Sequence, residues 1–101
     1  MESDTNHILK ALVSVVVEES LLKIGDRQLY YKVTQILYQN YKSYIPDCYE
    51  HPEYLRKVFS ELDGSYYLVA LDSIKAKLEE FAYHKPIRKV LENLSEIKIN
   101  C

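Results

Sequence analysis

The chain has 101 residues, 48% of them hydrophobic, and its 13 basic and 15 acidic side chains give a formal net charge of −2. That size supports one domain, residues 1–101 with its core over 5–97, and the hydrophobic share excludes a disordered chain. With no basic surplus to neutralise phosphates, nucleic acid is not an expected partner.

Only two glycines and three prolines occur, too few turn formers for an all-β fold. The N-terminal residues 1–7 are polar and lack the basic and apolar regions of a signal peptide. The longest apolar run, residues 11–17, is interrupted by Ser14 and is far too short to span a bilayer. Two cysteines, Cys48 and Cys101, do not make the disulfide framework of a small secreted domain. The expectation is a cytoplasmic chain that does not enter membranes.

Hydrophobic periodicity predicts five helices. The first covers residues 5–24, with Asp4 as N-cap and Gly25 at the C-terminal position that favours positive φ. Its apolar residues form two stripes, Ile8, Leu12, Val15 and Leu22 on one side and Leu9, Val13, Val17 and Ile24 nearly opposite. A helix apolar on two sides is either central or meets a second chain. Glu19 falls within the first stripe, where a Lys or Arg from another helix would pair with it.

The second helix starts at Asp26 as N-cap and runs to residue 42, with Leu29, Val33, Ile36, Leu37 and Tyr41 facing inward. Tyr31 and Tyr38 fall on the opposite side and are expected to be exposed. Residues 43–51 read as a loop in which Asp47 and Glu50 stand at capping-box spacing. Pro52 suits the first position of a third helix. That helix ends at Asp63-Gly64, with Leu55, Val58, Phe59 and Leu62 inside. A fourth helix spans 65–83 from a Ser65 cap, with Tyr67, Leu71, Ile74, Leu78 and Phe81 on one face. Pro86 opens the fifth, where Ile87, Val90, Leu91 and Leu94 face inward and residues 96–101 fray.

The densest cluster of chemistry-bearing residues is Asp47, Cys48, Glu50, His51 and Glu53, around Pro52. Cys48 and His51 stand three apart, as two zinc ligands can, but a structural zinc needs four and no supporting pair occurs. A nucleophilic Cys48 would need a lowered pKa and converging backbone N–H groups, and no Gly-rich turn lies nearby. The preferred reading is structural. Cys48 is a small buried apolar residue, His51 caps a helix or bonds a carboxylate, and Glu50 and Glu53 favour a helix N-terminus. No catalytic, cofactor-binding or metal-binding residue is assigned. The pairs Glu18/Glu19 and Glu79/Glu80 point about 100° apart on a helix and do not converge. The basic clusters Arg56/Lys57 and Lys85/Arg88/Lys89 have acids beside them and read as solvated faces.

The segment Ile45, Pro46, Asp47, Cys48, Tyr49, Glu50, His51, Pro52, Glu53, Tyr54 and Leu55 resembles a small archaeal family, the Nitrosopumilus output domains of the fifth type. Glu19, Ser20, Leu21, Leu22, Ile24 and Gly25 fit the same pattern, as do the helix from Tyr67 to Phe81 and Lys85-Pro86-Ile87. The resemblance covers about residues 8–94. It implies a helical domain associated with signal transduction, with no established activity and no catalytic residues to carry over. It also implies a structural or docking role for the motif of Asp47, Cys48, Glu50, His51, Pro52 and Glu53.

The expected fold is therefore all-α, a single five-helix bundle that dimerises through its N-terminal helix. The expected function is a non-catalytic protein-interaction or regulatory module whose partner is a second copy of itself. Its candidate surface comprises Tyr31, Tyr38, Leu9, Val13 and Val17. The alternatives are a DNA-binding regulator and a metal or thiol site centred on Cys48 and His51.

Overall fold

The computed structural model describes residues 2–62 and 66–95, and no strand occurs among them. Helix α1 covers Glu2–Tyr41, a 3₁₀ helix Ile45–Tyr49, α2 Pro52–Glu61, α3 Tyr66–Glu79 and α4 Lys85–Ser95. The all-helical expectation holds, with five helices among the described residues, but they are not the five that the periodicity predicts. The first two are one helix. The fifth member is the 3₁₀ helix, inside the segment expected as a loop.

Gly25 and Asp26 do not separate two helices, because the helical backbone runs through both. Yet α1 is not straight. Its 40 residues would extend about 60 Å at 1.5 Å per residue, whereas the whole protein measures 41 Å along its longest axis. The bend lies at Gly25. A Cβ placed on that residue would collide with the Cβ of Leu29 and fall 2.9 Å from its Cγ. In a regular helix, Cβ atoms four residues apart lie about 5–6 Å from each other. Glycine is one of the few residues at which a helix kinks sharply, and here its missing side chain is the space the bend occupies.

The bend moves the core to the other side of α1. Residues eighteen apart lie in the same direction on an ideal helix, because that spacing is five whole turns. Val15 is half exposed, while Val33 is fully buried. Val13 and Ser20 are buried, while Tyr31 and Tyr38 are exposed. The N-terminal half of α1 therefore buries Leu9, Val13, Val16, Val17, Ser20 and Leu21. The C-terminal half buries the opposite side through Val33 and Leu37, with Leu29, Ile36 and Tyr41 packed against the same core. α1 touches all four other elements, and the contacts of α2 and α3 with α4 close the bundle.

α1 ends without a glycine. Lys42 adopts the left-handed conformation, φ 52°, which a helix C-terminus usually assigns to Gly or Asn. Its N–H bonds the Tyr38 carbonyl at 2.9 Å, and the Ser43 hydroxyl donates to the Tyr41 carbonyl at 3.1 Å. The chain then runs extended through Tyr44 into the 3₁₀ helix. There Ile45 and Cys48, three apart and thus on one face of a three-residue turn, are buried together.

In α2, Leu55, Val58 and Phe59 are buried as expected, as is Leu62 just past its end, and Pro52 opens the helix. Asp4 lies inside α1, which begins at Glu2 and not at residue 5, so it is not the N-cap. The expected stop at Asp63-Gly64 and cap at Ser65 lie outside the described residues, as do the side chains of Asp26 and Tyr67 and the tail 96–101. α3 buries Ala70, Leu71, Ile74 and Leu78. It stops at Glu79, four residues earlier than expected, and Glu80–Tyr83 form turns in which the N–H groups of Glu80, Phe81 and Ala82 bond back by three residues. In α4, Ile87, Val90 and Leu94 are buried and Leu91 packs against the core from its rim.

Phe59 is completely enclosed and Val15 is not, which fixes the order of their substitution effects. Phe59→Ala is expected to destabilise the fold by about 3–5 kcal/mol through lost contacts and a residual cavity. Val15→Ala is expected to stay within about 0.5 kcal/mol, as surface changes do. Urea denaturation followed by circular dichroism compares them; equal losses would contradict the burial pattern.

Candidate functional site

Two regions carry the residues singled out by sequence. The first is the motif from Asp47 to Glu53. Asp47 does not pair with Glu50 in a capping box. Its carboxylate turns back and accepts the Tyr44 N–H at 2.8 Å, while its own N–H donates to the Tyr44 carbonyl at 2.9 Å. The His51 N–H then donates to the Asp47 carbonyl at 3.0 Å and closes the turn before Pro52. His51 makes no side-chain cap on α2. Its Nδ1 lies 3.3 Å from a Glu53 oxygen, the second of its two expected roles.

The His51 ring stacks on Tyr54 with centroids 4.7 Å apart, and Tyr54 stacks in turn on Tyr41 at 4.3 Å with planes within 6°. This run of rings joins the end of α1 to the start of α2. The motif also holds the N-terminal part of α1. Lys10 lies 3.3 Å from Glu50, and the Tyr49 hydroxyl donates to Asn6 Oδ1 at 2.8 Å. These contacts lie along an open cleft of about 410 Å³ that Asn6, Tyr49, Glu50 and Glu53 share with Lys89 and Asn93 of α4. Both signs of charge line it.

Cys48 is 1% exposed. Burial pushes its thiol up to about 12 from an ordinary 9.0, with the carboxylates of Asp47 and Glu53 acting in the same direction. A thiol held protonated is a poor nucleophile and a poor metal ligand, because the thiolate performs both roles. His51 faces Tyr54 and Glu53. No group of three His, Cys, Asp or Glu among the described residues is placed to hold a metal ion. The motif is a brace between helices.

The second region is the surface of α1. Tyr31 and Tyr38 are exposed, as the phasing predicts. Tyr38 lies 5.7 Å from Tyr44, with the Lys42 ammonium 5.2 Å from its centroid. Leu9, Val13 and Val17, expected as an interaction stripe, are buried in the chain's own core and present no surface. The exposed stripe is the other one. Ile8 is 67% exposed, Val15 51% and Leu22 43%. Beside it, Glu19 approaches Lys77 of α3 at 3.9 Å, and Ser20 shares a hydrogen bond with Ser73 at 3.2 Å. Val69, also exposed, stands on the same row of α3 as Ser73 and Lys77.

Of the expected stripe Ile8, Leu12, Val15 and Leu22, Leu12 packs against the core while the other three are exposed, and the stripe expected to face outward, Leu9, Val13 and Val17, is the inner one. The discriminating signal was present. Val16, Ser20 and Leu21 join Leu9, Val13 and Val17 in a broad inner face, whereas Ile8, Val15 and Leu22 recur at a bare spacing of seven. The wide face is the one a globular core takes, and the narrow one is a seam.

No helix among the described residues is long and apolar enough to cross a membrane. No family model, no curated protein and no solved structure matches this chain.

The raised thiol pKa of Cys48 gives a pH dependence with a definite sign. In the unfolded chain the thiol ionises from about pH 9; in the folded chain it keeps its proton to about 12. The folded state therefore binds more protons in that window, and stability falls as pH rises through it. Tyr41 and Tyr49, raised first by burial and then by nearby carboxylates, add to the loss. Cys48→Ala in a Cys101→Ser background is expected to lose less stability between pH 8 and pH 10.5 than its parent, read from urea midpoints. Parallel losses would contradict the burial of this thiol.

Proposed function

We propose that this chain is a non-catalytic protein-interaction module that pairs with a second copy of itself through the Ile8, Val15 and Leu22 face of α1. One observation carries the reading. Three large aliphatic side chains stand exposed at intervals of seven on a helix whose opposite side is already buried. Seven is the repeat by which two helices keep a shared seam in register.

A second copy fits this face because the stripe is symmetric about Val15. Antiparallel pairing on a two-fold axis sets Val15 against Val15, and Ile8 of each copy against Leu22 of the other. It also brings Glu18 and Glu19 beside Ala11 and Leu12 of the partner, whereas parallel pairing would align four carboxylates. A stable interface covers about 800 Å² on each partner. Three side chains supply part of that; Leu68 and Val69 of α3 are exposed as well. The expected dimer is weak and concentration-dependent.

The thiol of Cys48 and the imidazole of His51 have structural uses in this reading, so no reaction is assigned to them. The resemblance to an output-domain family of signal transduction is in keeping with a module that acts by docking, and a regulatory role in that setting is part of the proposal.

Size-exclusion chromatography with light scattering tests the pairing. The unmodified chain is expected to shift from monomer towards dimer as concentration rises. Val15→Glu is expected to remain monomeric at every concentration while keeping its helical circular dichroism. A dimer unaffected by Val15→Glu, or a strict monomer throughout, would overturn the reading.

A further inference from the structure

We propose that the Gly25 bend is an exchange hinge: when it opens, the N-terminal half of α1 leaves its own chain and packs into the body of a second copy, which returns its own. The bend carries unusual geometry but no change of secondary structure, since helix is assigned on both sides of Gly25 and through it. A straight α1 therefore requires opening one corner and refolding nothing. Opening it restores the ordinary helical spacing between residues 25 and 29, which at the bend leaves no room for a side chain on residue 25.

Among the described residues, the N-terminal half is fastened to the other elements by contacts across space. The core side chains Val13, Val17 and Leu21 enter the shared core. Asn6 accepts from Tyr49, Lys10 meets Glu50, and Ser20 bonds Ser73. Each of these re-forms unchanged when the partner's α1 supplies the same residues. Exchange of an identical element is a low-cost route to a dimer because only the hinge differs between the two states. The bent state wins as a monomer because its two halves meet without a second molecule.

This proposal does not rest on the Ile8–Val15–Leu22 face, which stays on the outside in either state. The two dimers are told apart by which chain supplies the neighbour of Ser73. In a Cys101→Ser background, Ser20→Cys and Ser73→Cys place thiols at the 3.2 Å contact. After oxidation, the bent chain is expected to cross-link within itself and run as a monomer on a non-reducing gel. Adding Gly25→Ala, whose Cβ the bend does not admit, is expected to convert most of the chain to a covalent dimer. Adding Val15→Glu as well is expected to leave that covalent dimer in place.

Gly25→Ala chains that cross-link only internally, at low and high protein concentration alike, would overturn the proposal. So would a covalent dimer that Val15→Glu abolishes. If Gly25→Ala fails to fold, the Gly25 chain refolded from urea carries the test. Its covalent-dimer fraction is expected to rise with the concentration at refolding, and its absence there would overturn the proposal equally.

Discussion

A helix of 40 residues cannot lie straight in a protein 41 Å long. It needs about 60 Å. The corner at Gly25 resolves that conflict, and most of the architecture follows from it. Because the helix turns there, its two halves meet different neighbours, and the side of α1 that belongs to the core changes at the corner. Without the corner, Tyr31 and Tyr38 would share a direction with the buried Val13 and Ser20, and Val15 would share one with the buried Val33. One helix could then not satisfy a single core.

The Asp47 to Glu53 motif is the counterpart of that corner. It returns the chain from the end of α1 to the beginning of α1, where Asn6 and Lys10 receive Tyr49 and Glu50. The local bonds of Asp47 with Tyr44 and of His51 with Asp47 shape the turn, and the Tyr41–Tyr54–His51 stack joins it to α2. Exposed ion pairs such as Lys10–Glu50 contribute little individually. The burial of Ile45 and Cys48 supplies the apolar anchor. The protonated, enclosed thiol is thus accounted for by packing.

Much of this was legible in the sequence, and the misreadings have physical causes. The inner faces of α2 and α4 follow plain three-and-four spacing, and their buried residues are those that the spacing selects. Helix caps gave the start of α2 at Pro52 but misled at Gly25-Asp26. Gly followed by Asp is the pattern of one helix ending and another beginning, and it also permits a kink. Propensity cannot separate the two, because the difference lies in whether the next turn closes against Leu29. The boundary expected from that pair is a bend, and the buried face of α1 changes across it. The same ambiguity reversed the stripes of the N-terminal half. Both are apolar, and only the width contributed by Val16, Ser20 and Leu21 shows which one the core takes. The motif's chemistry-bearing residues were found by composition, but Asp47's true partner, a backbone N–H three residues upstream, could not be read from side-chain spacing alone.

The proposed pairing and the proposed exchange both use α1, but different parts of it. One uses the outer stripe that bending leaves uncovered; the other uses the bend itself. Both presuppose a folded-back α1 in the isolated chain. Spin labels at the exposed positions His7 and Gln39, with distances read by pulsed dipolar spectroscopy on monomeric chain, measure that directly. A straight helix would separate the two backbones by about 48 Å. A bent α1 holds them well short of that, because Tyr49, a few residues past the end of α1, already bonds Asn6 near its start. A single narrow distribution near the longer value would contradict the bend and everything built on it.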